Sequence, residues 1–507
     1  MNRCLRIPEL LDGIVSHLEP DSHGGTLAAL AQAARLFHDP ALNVLWRSQK
    51  SLVNILRCLP RDLLEEQTVN LRFLRPIVES DWERPRSYAE RIKDFHSVDY
   101  NTDWPRQDDF FYSDIYPSLH LENGLVLPNL TRLHWSRRDE GFPRICLFFG
   151  PKITSIHINF RVKPSWANVS VLHLLSLKCP KLEDVFIDMN DEVNEDEAKP
   201  LTFISHFIMG LSNRIQSLTV GIPDMSALLH IAQLPSLRQL GAHGLSVSLS
   251  TLTPNGGLFV SLRELTIRGS SMDSVSNFVK LCSDSTLESL WVDASLYSPP
   301  RTMQSLFTII ADDHRTSLTK LTVWNDECDM GGHVASADDL FTIATLRPTL
   351  LLSNLSEFRI MSMHEYNFDD WDISRMARAW RHIRVLEFSS EHRGTNAQTT
   401  LGALQILARH CPHLEELTME FTSDVVPSIE GTPAPNHPLT ALDVKSSVIS
   451  SPTLLVARFI SGIFPNLKYL ATEYKSEFAQ QWKEVKMAIP VLVQVRQEGA
   501  RWAQSGT

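Results

Sequence analysis

The sequence has no surplus of positive charge: 48 basic side chains stand against 59 acidic ones in 507 residues, a net charge of −11. Duplex nucleic acid is held mainly through cationic contacts to phosphate, so this balance argues against nucleic acid as a partner. No apolar run approaches the ~20 residues that a membrane-spanning helix needs, so no membrane partner is expected. Cysteine is sparse. The seven thiols, Cys4, Cys58, Cys146, Cys179, Cys282, Cys328 and Cys411, are scattered and never form a C-x-x-C pair. A disulfide framework or a zinc site needs clustering, so reduced and mostly buried thiols are expected, in the cytoplasm or the nucleus. "CDMGGH" brings Cys328 near His333, but two ligands do not make a metal site. A P-loop, a G-x-G-x-x-G after a strand, H-E-x-x-H and G-x-S-x-G are all missing. No cofactor is implied and no catalysis is expected; "DDH" at 312–314 reads as the turn after a helix.

What is present begins with "CLRIPELLDGIVSHLEP" at 4–20. Glu9 and Asp12 interrupt the apolar run, Pro8 breaks its start, and no small-residue cleavage pattern follows, which excludes an export signal. On a helix, Ile7, Leu10, Leu11, Ile14 and Leu18 fall on one stripe, with Pro8 in the first turn where its missing N–H costs nothing. Pro20 and "HGG" are expected to end that helix. Thr26 then caps a second helix with Leu27, Leu30, Ala31, Ala34 and Phe37 on one face, and Asp39-Pro40 opens a third carrying Leu42, Leu45 and Trp46. A fourth amphipathic stretch, "SLVNILRCLPRDLL", follows. Three short helices in fewer than fifty residues enclose little core, so their surplus apolar surface must pack on the rest of the chain or on a partner.

From residue 130 one phrase recurs: apolar, two variable, apolar, one variable, apolar. It runs from "LTRLHW" at Leu130 through "ITSIHI", "LEDVFI", "LRELTI", "LESLWV" and "LEELTM" to "LKYLAT" at Leu467, thirteen times, about 28 residues apart. That spacing is at the long end of the ~20–29 residue leucine-rich-repeat period. Each phrase predicts a short strand with alternate residues inward. Between them lie helical stretches, often introduced by a capping residue: "DMSALLHIAQLP" after Asp224, "SMDSVSNFVKLC", "DISRMARAWRHI" after Asp372, "TLGALQILARHCP" and "SPTLLVARFISGIFP". Strand–helix alternation at this period gives an α/β repeat protein, a leucine-rich-repeat solenoid with an open curved parallel sheet and helices on the convex side. A TIM barrel would close at eight units. The expected organisation is a helical module over 1–50, a connecting segment with irregular first repeats over 51–125, the solenoid over 126–475 and a C-terminal cap over 476–507. In the segment 51–125, "TVNLRFLRPIV" reads as a strand and "SDWERPRSYAERIKDFHSV" as a helix capped by Ser80. In the C-terminal cap, "VLVQV" reads as one last strand. The long gap from Leu318 to Leu355 holds an inserted loop, "WNDECDMGGHVASADD". "NDEVNEDEAK" at 190–199 reads as a solvated acidic insertion and "VVPSIEGTPAPNHP" at 425–438 as a proline-rich surface loop without a fixed fold.

"IPELLDGIVSHL", "TLAALAQAARLFHDPAL" and the closing Leu45-Trp46 resemble an F-box, in the form common at the start of fungal F-box proteins. The resemblance covers roughly residues 3–50. "KCPKLEDVFI" and "HCPHLEELTM" are similar to the cysteine-containing repeats that often accompany it. From the residues alone, Cys179 and Cys411 are small buried groups at helix ends. The F-box resemblance implies docking to a Skp-type adaptor and, through it, to a cullin ubiquitin ligase complex. Carried over by position, Leu5, Ile7, Pro8, Leu10, Leu11, Ile14 and Leu18 would contact the adaptor. Leu27, Leu30 and Trp46 would serve either that contact or the module's small core.

In such repeats the variable strand positions face the concave surface. Phe186, Asp188, Arg268, Trp291, Asp293, Trp324 and Arg359 are the candidates there for holding a protein substrate, because tryptophan and arginine are frequent interface anchors. Two readings follow: a substrate-recognition subunit of an SCF-type (Skp–cullin–F-box) ligase, or a leucine-rich-repeat interaction scaffold whose N-terminal helices only cap the solenoid.

Overall fold

The computed structural model describes residues 7–66, 71–98, 125–137, 142–160, 166–188, 201–245, 257–294, 298–325, 340–390, 397–429 and 436–505. The acidic insertion at 190–199 and the pair Cys328/His333 lie outside them, as do Leu5 and residues 430–435 of the proline-rich loop. Two compact units divide the chain, Met1–Leu237 and Arg238–Thr507.

All thirteen phrases form strands. In the first unit, Ser48–Gln49, Asp94–Val98, Arg132–Arg137, Ser155–Phe160, Asp184–Asp188 and Ser217–Gly221 pair in that order, all parallel. In the second, the order runs Gln239–His243, Glu264–Arg268, Ser289–Asp293, Lys320–Asn325, Glu357–Ser362, Val385–Ser390, Glu416–Thr418, Ala441–Asp443 and Tyr469–Ala471, again all parallel. The architecture is therefore an α/β leucine-rich-repeat solenoid in each unit. Its period is set by burial. The leading residue of each phrase is buried from Leu130 to Leu439, and within a strand such as Ser155–Phe160 every second side chain (Ile156, Ile158, Phe160) points inward.

Successive repeats are also stitched by one recurring backbone device. The carbonyl just before a strand accepts two N–H groups from the next repeat: Thr131 O takes Thr154 N at 2.9 Å and Ser155 N at 3.2 Å, and Glu288 O takes Thr319 N at 2.8 Å and Lys320 N at 3.1 Å. The same pair of bonds recurs at Thr154, Glu183, Ser356, Arg384 and Thr440. It satisfies the polar groups at the turn into each strand, which would otherwise be costly to bury.

The intervening helices cover the inward side chains. Phe358 meets Trp380 at 4.8 Å, and Trp380 ends the helix Asp370–Ala379. Capping follows the sequence at Asp224, which accepts from Ala227 N at 2.9 Å, and at Ser271 and Thr400. At "DISRMARAWRHI" the cap is Asp369 and not Asp372: a parallel bridge to Gln398 keeps Asp369 extended, and its carboxylate accepts the Asp372 N–H at 2.8 Å. In the connecting segment, Leu71–Phe73 forms the expected strand, paired antiparallel with Leu64–Glu66. The helix there runs Glu83–Ala89 after a 3-10 turn at Glu79–Trp82, so Ser80 does not cap it.

The N-terminal helices α1 (Pro8–Ser16), α2 (Pro20–Ala33) and α3 (Arg35–Arg47) depart from expectation in their boundaries. Pro20 opens α2 instead of ending α1, because the first helical position needs no N–H. "HGG" is absorbed as a kink at His23, so Thr26 lies inside the helix. Ala34 is extended, which moves Phe37 onto α3. Pro40 sits within α3, and Asp39 does not cap it but pairs with Arg91 at 2.7 Å.

The expected last strand "VLVQV" is instead part of a helix, Ala479–Ser505. Trp482, Val485 and Ile489 recur at helical spacing and are buried, and this helix packs on Thr453–Ile463. Trp482 Nε1 donates to Ser447 O at 2.8 Å, and Arg496 donates to Arg458 O and Ser461 Oγ. The burial stripe and these bonds override the β-branched alternation. Among the described residues, no helix is long and apolar enough to cross a membrane.

Candidate functional site

In the first unit, α1 and α2 close on α3 around Leu11, Val15, Leu27, Ala31 and Ala41, with Leu18, Leu30, Phe37 and Leu45 packed against them. The predicted stripe of α1 therefore splits. Leu11 and Leu27 are core, Leu18 and Leu30 half-buried support, while Ile7 (46 % exposed), Leu10 (48 %) and Ile14 (53 %) face outward beside each other. Pro8 is the first residue of α1. Val15, which sequence reasoning missed, completes the inner face four residues after Leu11.

The module is also joined to the repeats. α3 runs directly into Ser48–Gln49, which pairs with Asp94–Phe95, and Trp46 stacks on Tyr88 at 4.6 Å. Arg91 reaches back to Asp39 and Asn43, and Lys93 N donates to Arg47 O at 2.9 Å. Trp46 thus holds the junction to the repeats.

On the strand face of the first unit that alternates with the core, the register lines up His96, His134, His157 and Phe186 on four neighbouring strands. Ring centroids are 5.8, 5.0 and 4.2 Å apart along the row. Burial lowers the pKa of each histidine, more than neighbouring charges do, which favours neutral rings at this stack. Phe186 was expected on this face; the three histidines were not, although "HSV", "LHW" and "IHI" place each at the same strand position. Asp188 stands next to Asn159 in the following row. Asp94 receives both Arg132 guanidinium donors at 2.7 Å, a two-point ion pair.

In the second unit the other candidates also meet by register. Thr266, Trp291, Thr322, Arg359 and Glu387 form one row, and Arg268, Asp293 and Trp324 the next. Arg268 lies over the Trp291 ring at 4.7 Å, a cation–π contact that covers Trp291. Trp324 is 37 % exposed and is the more accessible anchor. Arg359 is held by Glu387 at 2.9 Å and Glu416 at 3.4 Å.

Beyond these, a cleft is lined by Glu365, Tyr366, Phe368, Phe388, Met419 and Glu420. Burial pushes the Glu420 carboxyl up to about 7. No sequence signal marked this cleft, because its residues come from three separate repeats. The thiols Cys179, Cys282 and Cys411 are buried and form no disulfide among the described residues; burial raises all three, Cys179 to about 11 and Cys411 to about 12. Among the described residues, no group of three or more His, Cys, Asp or Glu side chains is placed to hold a metal ion.

No protein-family model matches the chain, and no curated protein matches its sequence. Among solved structures it is similar to a chain of the yeast Rad7 and Elc1 complex, at 14 % identity and a TM-score of 0.38, over 66 % of this chain and 81 % of that one. It is also similar to the leucine-rich repeat-containing protein LegL7 from Legionella pneumophila, at 8 % identity and a TM-score of 0.31, over 69 % and 95 %. At these scores the leucine-rich-repeat assignment rests on the strand ladder and the recurring bonds of the chain itself.

Proposed function

We propose that this chain is the substrate-recognition subunit of an SCF-type ubiquitin ligase, with α1 docking to a Skp-type adaptor and the repeats holding a target protein. The observation that carries the reading is the outward patch of Ile7, Leu10 and Ile14. The module has already closed its small core on Leu11, Val15 and Leu27, so these three side chains are available to a partner. The chain itself is non-catalytic in this reading. It supplies proximity, and ubiquitin transfer belongs to the cullin complex. Buried reduced thiols suit the cytoplasm or nucleus.

A second reading, an interaction scaffold whose helices only cap the first repeat, is favoured by the Arg91–Asp39 pair and the Trp46–Tyr88 stack. Co-expression with a Skp-type adaptor separates the two. The ligase reading expects the full chain to co-purify with adaptor and cullin, and a Leu10→Asp/Ile14→Asp variant to lose both while staying folded. Failure of the wild-type chain to retain adaptor would sink it. If instead a 51–507 fragment is soluble and stable, the capping reading loses its support.

A further inference from the structure

The cleft of the second unit combines two features that ordinarily exclude one another. Its walls are aromatic: Tyr366, Phe368 and Phe388 pack with ring centroids 5.3 to 5.7 Å apart. The Tyr366 hydroxyl lies within donor distance of Ile360 O (3.0 Å) and Ser389 O (3.2 Å), which fixes its ring. Two acidic side chains, Glu365 and Glu420, nevertheless line the same space. Glu365 Oε1 is buried from solvent and has no hydrogen-bond partner among the described residues. Glu420 Oε1 accepts a long bond, 3.4 Å, from Ser446 N. A buried carboxylate oxygen without a donor is costly, and the cost is offset when a ligand brings the donor.

The surroundings select the sign of that ligand. Near the cleft stand Glu387 and Glu473, with Glu416 and Asp443 on the neighbouring strands, against Arg359 and Lys445. Arg359 is already engaged by Glu387 and Glu416, and Lys445 approaches Asp443 at 3.5 Å. A cation resting on aromatic rings between carboxylates gains both a cation–π and a charge-assisted hydrogen-bond contribution.

We propose that this cleft is a specificity pocket for the cationic end of a lysine or arginine side chain presented by a partner protein. The proposal rests on the reading that the repeats hold a protein target, and it names the chemistry of that target: a basic segment.

Met419 lines the cleft and serves as the reporter. Full-length chain labelled with ¹³C-methyl methionine, with the Met419 signal identified through Met419→Leu, is titrated with acetyl-Gly-Lys-Gly-amide and its arginine counterpart. The norleucine tripeptide, spermidine and calcium chloride are run in parallel. Saturable shifts of the Met419 methyl with the lysine or arginine peptide are expected, with no comparable shift from norleucine. Glu365→Gln and Glu420→Gln should each weaken the effect roughly tenfold, while the other methionine signals, which report an intact fold, stay in place. Equal shifts with norleucine would reduce the cleft to an apolar crevice and overturn the proposal. So would a response to calcium or spermidine alone, unchanged binding in both glutamine variants, or no response to either basic peptide. Adaptor co-purification reads α1 and is scored separately, so the pocket and the ligase reading fail independently.

Discussion

Leu11 and Ile14 are three residues apart on α1, yet their substitution should have opposite consequences. Leu11 is 1 % exposed at the centre of the module's core. Leu11→Ala removes buried methyl groups and leaves a cavity, at a cost of about 2–5 kcal/mol, enough to open a module whose core is five buried residues. Ile14 is 53 % exposed, so Ile14→Ala should change stability by no more than about 0.5 kcal/mol. Docking inverts the order. Fully burying an Ile or Leu side chain contributes about 1.5–3 kcal/mol, and close to half of each of Ile7, Leu10 and Ile14 is still exposed. Covering all three is then worth about 3 kcal/mol, roughly a hundredfold in Kd. Two measurements check this: hydrogen exchange over residues 8–47 and calorimetric titration with a Skp-type adaptor. Leu11→Ala should lose amide protection through α1–α3. The Ile7→Ala/Leu10→Ala/Ile14→Ala variant should keep protection and lose about two orders of magnitude in affinity. Deprotection of the module by Ile14→Ala alone, or wild-type adaptor affinity in the triple variant, would contradict this division of α1 into an inner and an outer face.

Further outcomes follow from single groups. Glu420 has its folded-state pKa raised from 4.5 to about 7 by burial, reinforced by Glu473 and Glu365 and opposed by Ser446 N and Lys445. The folded chain therefore holds that proton more tightly than the unfolded chain, and the stability this confers is complete below pH 4.5 and lost as pH rises to 7. Glu420→Gln should accordingly gain on wild type between urea melts at pH 5 and pH 8, by on the order of 2–3 kcal/mol; a difference independent of pH contradicts this. Trp482→Ala removes a buried indole and its bond to Ser447 O, so limited proteolysis should cut the helix Ala479–Ser505 first, with a stability loss of about 3–5 kcal/mol. Alkylation followed by mass spectrometry should label the half-buried Cys58 and Cys146 well before Cys179, Cys282 and Cys411 in native protein, and all five together after unfolding.

The repeat strands were legible because each phrase meets the same demand: its leading apolar residue and alternate positions must be inward for one repeat to cover the next. The helix caps were legible where a short polar side chain faced an unpartnered backbone N–H, as at Asp224 and Ser271. Where two helix starts were locally plausible, as around Pro20 and Asp39, contacts elsewhere decided, Asp39 being taken by Arg91. "VLVQV" misled for the same kind of reason: alternating β-branched residues describe a strand locally, but Trp482, Val485 and Ile489 anchor that whole segment as a helix.

Period, strand positions, the apolar stripe of α1 and the buried character of Cys179 and Cys411 are local properties, each legible in a short window of residues. Which half of the α1 stripe stays outside, the stacking of His96, His134 and His157, the Arg268 cover on Trp291 and the carboxylate cleft were decided only by tertiary structure. Each joins residues that are far apart in the chain but one strand spacing apart in the sheet, or on neighbouring helices. Such neighbours are chosen by strand register and packing, which no short stretch of sequence contains.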